Sequence, residues 1–223
     1  MNRVRVNRIQ SQMCDGAVVF VKTRRFGGSL VVWFGNWFLY LAGSRICMFV
    51  RSRDWMKWEA HCARLLYPDR TAVKFSSSNS VVVPEICGVS IRQMLKAGYI
   101  SLQAFIAAAR ELPRVHAIPC SDYKAAWSHG DLHPDNILYN SESDQATLID
   151  FYTRHERNLK ATQRHADDVK TVLLELLTLR NEDWIEPADC FLREYRDTFG
   201  TFHLLALWSA APQCRLHLRR SRL

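Results

Sequence analysis

The stretch from His129 to Phe151, HGDLHPDNILYNSESDQATLIDF, limits the fold more than any other part of the chain. A polar, acid-bearing loop runs directly into the apolar segment Ile137-Leu138-Tyr139. The turn SESDQ and a second apolar segment, ATLIDF, follow. Two short β-prone runs on either side of a turn read as a hairpin. A hairpin brings the end of its second strand back to the start of its first, so Asp150 returns toward Asn136. Such a loop and hairpin need a body to rest on, and the flanking sequence supplies helices. SLQAFIAAARELPRVHA reads as a helix that starts at Ser101 and is damaged at Pro113. DDVKTVLLELL, from Ala166 on, and DCFLREYRDTFG are helical as well, and VSIRQMLKAG is a short helix ending in Gly98.

The first third reads differently. RVRVNRIQ alternates apolar and charged residues, Asp15-Gly16 is a turn signal, and AVVFVK is a β-branched run ending in Lys22. TAVKF and SVVVPEI are two further strands about the turn SSSNS. DWMKWEAHCARLL is an amphipathic helix capped by Asp54, with Trp55, Trp58, Cys62 and Leu65 on one side. A connector lies near residues 84–90. The plan is an α+β chain of two lobes: residues 1–88, small and strand-rich, and residues 89–223, mostly helical.

From Ser29 to Ser44 there is no charge, and Arg45 ends the run. A spanning helix needs ~20 apolar residues, so this one is short, and Gly35 and Asn36 interrupt it. A buried or half-buried core helix fits the stretch. So does an interfacial helix, because Trp33, Trp37 and Tyr40 recur at helical spacing. No apolar signal core follows the basic N-terminus.

A 223-residue chain with 48% hydrophobic and 23% charged residues is globular rather than disordered. Its net charge of +8 favours an anionic partner or substrate. The seven cysteines are scattered, odd in number and without a C-x-x-C pair, which argues against a disulfide framework and a zinc site and fits a reducing, cytoplasmic compartment. No helix-turn-helix, zinc or RNA-binding signature points to nucleic acid.

The order of acids in the 129–151 stretch carries the chemistry. One aspartate, an asparagine five positions on, and a second aspartate at the end of an apolar strand suit phosphoryl transfer. The first carboxylate faces an attacking hydroxyl and takes its proton. The asparagine amide oxygen and the second carboxylate hold Mg²⁺, which prefers hard oxygen ligands.

The stretch resembles the protein-kinase-like superfamily, whose catalytic loop usually reads H-R-D-x-x-x-x-N with D-F-G downstream. Here it reads H-G-D-L-H-P-D-N, then L-I-D-F-Y. Glycine in place of arginine is similar to the sugar, aminoglycoside and lipopolysaccharide-core kinases of that superfamily. The resemblance implies a bilobal kinase-like fold with an abbreviated β-rich N-lobe, and ATP bound between the lobes. It makes Asp131 the catalytic base and Asn136 and Asp150 the metal ligands. It also implies a strand lysine, Lys22, on the nucleotide phosphates, with a helix partner, Glu59, holding it. The intervening KTRRFGGSLVVWFGNWFLYLAGSR looks like the basic, apolar insertion of Kdo and heptose kinases of the lipopolysaccharide core. The likeness covers roughly residues 17–180, and is strongest over 127–151.

Several departures follow from the same comparison. The glycine-rich phosphate loop is missing: the lid is abbreviated or begins upstream. Tyr152 stands where the family has glycine, which removes φ > 0 freedom there. Without an arginine at Gly130 there is no basic pocket for an activation-loop phosphate, and no A-P-E segment precedes Asp167. That favours a small or glycolipid acceptor over a protein, and a lipopolysaccharide-core sugar is the expected one. The rivals are a serine or threonine of a protein, as in minimal atypical protein kinases, and a pseudokinase-like binding module.

His129 is expected to order the loop by hydrogen bonding, and Asp168 or Asp167 to cap a helix and brace the loop. His133, in mid-loop, has a solvated reading and a phosphate-facing one. The basic tail RLHLRRSRL and the aromatic stretch beside Arg24 and Arg25 allow peripheral contact with the inner face of a membrane.

Overall fold

The computed structural model describes residues 6–14, 16–70, 74–179 and 182–199. Asp15 of the first turn, Thr71 to Val73 of TAVKF, and the basic tail lie outside them. In chain order the elements are β1 (Asn7–Cys14), β2 (Ala17–Arg24), α1 (Gly28–Leu41), β3 (Ile46–Met48), α2 (Ser52–Leu66), β4 (Lys74–Ser77) and β5 (Ser80–Pro84). Then come β6 (Val89–Ser90), α3 (Ile91–Lys96), α4 (Leu102–His116), β7 (Pro119–Cys120), β8 (Ala125–Ala126), β9 (Ile137–Asn140), β10 (Gln145–Leu148), β11 (Thr153–His155), α5 (Ala161–Leu176) and α6 (Ile185–Phe199). The chain divides into two compact units. One holds the described residues up to Ile86 together with Asp150–Glu156; the other holds Cys87–Ile149 and the described residues from Arg157 on. A single cut in the sequence does not describe this division, because 150–156 rejoins the first unit.

The first unit is an antiparallel sheet in the order β1-β2-β5-β4. The β-branched run of β2 occupies an interior position, with Lys22 opposite Ile9 on one side and Val81 on the other. Successive strand residues face opposite ways, so Lys22 and Arg24 share one face. Both are buried. Helix α2 supplies their partners, burying Trp55, Trp58, Glu59, Cys62 and Leu66 at helical spacing. Arg24 lies over the Trp55 ring at 4.9 Å and donates to the Phe49 carbonyl at 3.0 Å. The helix starts earlier than the sequence suggests: its N-cap is Arg51, so Asp54 sits inside the first turn, and Leu66 rather than Leu65 is the fully buried leucine. β3 pairs with β11, and Trp58 Nε1 donates to the Thr153 carbonyl at 3.0 Å, which fastens 153–155 into this unit.

The second unit is mainly helical, as expected. β9 and β10 form the predicted hairpin, with Leu148 opposite Ile137, and β6 adds to it in the order β10-β9-β6. A capping box between Ser90 and Gln93 starts α3, and Ser101 caps α4 by accepting from the Ala104 N–H. Pro113 does not end α4: the helix runs on to His116, and Pro113 is itself buried. Packing between α4 and α6 overrides the lost backbone donor. α5 begins at Ala161, five residues before Ala166.

Gly88 joins β6 to the preceding chain at φ 144, and a Cβ there would fall 2.9 Å from the Tyr139 carbonyl oxygen on β9. Backbone at both ends of that approach leaves nothing that can give way. Gly88→Ala is expected to destabilise the chain by about 1–3 kcal/mol in denaturant unfolding, the usual cost of a strained backbone position. A change below a few tenths would show the approach to be slack.

Candidate active site

In the first unit, β2 and α2 bring Lys22 to Glu59, Nζ to Oε1 at 2.5 Å, and the same ammonium reaches Asp150 Oδ1 at 3.0 Å. Two residues, 37 and 128 positions from Lys22, thus share one charge centre with its buried ammonium. Burial alone drives the Lys22 pKa down, but the Asp150 and Glu59 carboxylates outweigh it and hold the ammonium above the ordinary lysine range. Glu59 is shifted upward, chiefly by burial, with Lys22 opposing. Asp150 adopts φ 68, a left-handed conformation that aspartate tolerates better than most residues. The left-handed residue here is therefore Asp150 itself, not position 152, and Phe151 turns into the core.

In the second unit, buried Asp168 holds the backbone of the loop that begins at His129. Its carboxylate accepts from the His129 N–H at 2.8 Å and the Gly130 N–H at 2.9 Å. Asp168 lies well inside α5 rather than at its N-terminus, so it acts as a brace and not as a dipole charge. His129 donates from Nε2 to the Ile149 carbonyl at 3.0 Å, and its Nδ1 accepts from the Asp131 N–H at 3.3 Å. One tautomer satisfies both bonds, so His129 orders the loop. Gly130 sits at φ 88, a left-handed conformation that glycine adopts without the strain of a side chain.

The Asp131 carbonyl accepts from the His133 N–H at 2.8 Å and from Asn136 Nδ2 at 2.9 Å. The Asn136 amide nitrogen is thereby committed, leaving its oxygen as the group for a cation. The Ile149 N–H donates to the Asn136 carbonyl at 3.0 Å, directly before Asp150. The Asn136 amide oxygen and the Asp150 carboxylate are each a hard oxygen donor, the kind that Mg²⁺ prefers. The structure thus gathers Lys22, Glu59 and Asp150 within one unit and Asp131 and Asn136 within the other.

Sequence reasoning missed the supports. His116, at the end of α4, bonds Asp168 through Nε2 at 3.1 Å and Tyr195 through Nδ1 at 3.2 Å, and stacks on His165 at 3.8 Å. Arg92 bonds Glu175 and lies 3.4 Å from His133 Nδ1, while His133 Nε2 lies 3.2 Å from Glu175. His133 is therefore held by neighbours on α3 and α5 rather than simply solvated. The residues in these contacts are scattered from Arg92 to Tyr195, and no local pattern marks them.

Residues 91–155 match the family model described as phosphotransferase enzyme family, a span that holds Asp131, Asn136 and Asp150. A search of curated proteins gave no significant match. Among solved structures, an ethanolamine kinase from Plasmodium vivax is similar at 11% identity and TM-score 0.50, over 94% of this chain and 77% of that one. An ADP-bound aminoglycoside phosphotransferase is similar at 13% identity and TM-score 0.48, over 93% and 82% of the two chains. The erythromycin complex of a Mycobacterium tuberculosis protein is similar at 17% identity and TM-score 0.45, over 79% of this chain; this chain spans about half of that one, 52%.

Removing the Lys22 charge leaves two carboxylates facing each other, one of them buried. Lys22→Met is expected to cost about 3–5 kcal/mol in denaturant unfolding, and Lys22→Met with Glu59→Leu to recover part of it. Because the folded-state pKa is raised, the Lys22 contribution is complete below the ordinary value of 10.5 and is lost only as pH rises through the higher folded value. A double variant no better than the single one would refute this account. With this geometry, the chain carries the protein-kinase-like fold that its sequence implies, and residues 91–155 bear the phosphotransferase-family pattern.

Proposed function

We propose that the chain is an ATP- and Mg²⁺-dependent phosphotransferase that carries the γ-phosphoryl group of ATP to an alcohol, acting on the cytoplasmic side of a membrane. The observation that carries this reading is the Lys22–Glu59–Asp150 centre. Burying an ammonium against two carboxylates is costly in folding terms, and such clusters of perturbed groups mark functional sites. In the proposed mechanism Lys22 binds the nucleotide phosphates and Glu59 orients Lys22. Asn136 and Asp150 would hold Mg²⁺, which when bound neutralises phosphate charge. Asp131 accepts the proton of the attacking hydroxyl. Its loop is kept in place by Asp168 and His129, so the gain comes mostly from positioning and charge neutralisation.

A sugar of the lipopolysaccharide core is the favoured acceptor, as an anionic glycolipid suits a chain of net charge +8. Only residues 156–160 separate β11 from α5, which leaves no length for a peptide-docking platform and disfavours a protein serine or threonine.

The test is incubation with γ-labelled ATP and Mg²⁺, beside a membrane glycolipid fraction and beside a protein extract. Label is expected in the glycolipid fraction. Asp131→Ala should lower transfer by about 10²–10⁴-fold, the usual worth of a general base, with unchanged thermal melting. Equal transfer by both proteins sinks the mechanism. Label in the protein extract alone overturns the acceptor, and tight Mg·ATP binding without transfer to either identifies a binding module instead.

A further inference from the structure

Helix α1 turns a narrow stripe that includes Gly28, Gly35 and Asn36 inward and most of its large apolar residues outward. Toward its own unit it turns Gly28 and Val32, which are buried, and Gly35, Asn36 and Leu39, which are half-buried. Asn36 donates from Nδ2 to the Met48 carbonyl and accepts the Met48 N–H, both at 2.8 Å, which fixes the helix against β3. The opposite half of the helix carries Leu30, Trp33, Phe34, Trp37, Phe38 and Leu41, each between 53% and 68% exposed. A helix facing water shows the reverse pattern. Scattered exposed apolar side chains are ordinary, but a contiguous aromatic face is an interaction surface. Of the readings the sequence leaves open, a fully buried helix is excluded: α1 is half-buried, with its aromatic face outward.

The charges around the helix say what covers it. Residues 16–53 contain six basic residues and no acidic one. Of these Arg25, Arg45, Arg51 and Arg53 are exposed, Arg45 being paired with Glu156 at 3.1 Å. A second copy of this face would set arginines against arginines. Residues 201–223 of the same chain, with four arginines and no acid, would do the same. An anionic lipid surface matches both the apolar face and its basic flank. The fourteen residues of α1 span about 21 Å at 1.5 Å each, short of the ~30 Å hydrocarbon core. Among the described residues no helix is long and apolar enough to cross a membrane.

We infer that α1 lies flat in the headgroup region of an anionic phospholipid bilayer, its Trp33–Trp37–Phe38 face in the acyl boundary and its flanking arginines on lipid phosphates. The helix is fixed to β3, and β3 to β11 three residues beyond Asp150, so docking anchors the unit that holds the Lys22–Glu59–Asp150 centre. The inference needs no phosphotransfer and stands or falls without it.

The test is co-sedimentation of the full chain with phosphatidylcholine vesicles and with equal mixtures of phosphatidylcholine and phosphatidylglycerol, without nucleotide. The chain is expected to pellet with the mixed vesicles, to lose binding as salt rises, and to show tryptophan quenching by brominated phosphatidylglycerol. A Trp33→Ser, Trp37→Ser, Phe38→Ser variant should bind at least about tenfold more weakly with unchanged melting. Arg25→Gln with Arg51→Gln should weaken binding to mixed vesicles only. Three results would overturn the inference: wild-type chain left in the supernatant, equal binding to pure phosphatidylcholine, or self-association without lipid that the aromatic variant abolishes. Wild-type quenching and salt dependence decide the matter should that variant fail to fold.

Discussion

The ammonium of Lys22, buried between two carboxylates, is the constraint on which the first unit depends. An unpaired charge in that position would be expelled or neutralised. Glu59 and Asp150 instead keep it charged, and their presence obliges three separate segments to meet: strand β2, helix α2 and the turn after β10. Trp58 and the β3–β11 pairing then secure the same turn from its other end. A buried ion centre of this kind is poor value for stability alone, and a hydrophobic trio of similar volume would hold the segments as well. In the proposed function the same groups have a second task, the binding of phosphate and metal.

The second unit solves a different problem, that of holding a polar loop still. Asp168 satisfies two successive backbone donors, and His116 and Tyr195 extend its network into α4 and α6. Burial shifts the Tyr195 hydroxyl well above its ordinary pKa, with the Asp168 charge adding to it, so the phenol stays a neutral hydrogen-bonding group. Low dielectric strengthens such a network and makes each broken member costly, which is how a loop of His, Gly and Asp acquires one geometry.

Much of this was legible beforehand where local chemistry is decisive. The Ala17–Lys22 run, the Ser101 cap and the hairpin about SESDQ each carry their own signal, and each formed, the first extended to Arg24. Elsewhere local rules lost to packing. Proline failed to stop α4 because the helix has a partner along its length. Asp54 lost the capping position because α2 gains a turn by starting at Ser52. The exposed face of α1 was open between burial and an interface, since a wholly apolar run carries no sign of which side meets the protein. The Gly28, Gly35 and Asn36 stripe decided it by letting only the small side approach.

Taken by itself, the amino-acid order determined the strand-rich and helical halves and the spacing of Asp131, Asn136 and Asp150, while Lys22 and Glu59 became candidates through the resemblance to a known family. Periodicity and turn chemistry act over a few residues, and those residues are close in the chain or set in a recognisable pattern. Tertiary structure alone decided that Asp150–Glu156 joins the first unit, that Asp168 and not Asp167 braces the loop, and that α1 shows its aromatic face outward. Each of these rests on partners many residues apart, whose meeting is set by the burial of charge and apolar area across the whole chain and by nothing in the neighbouring sequence.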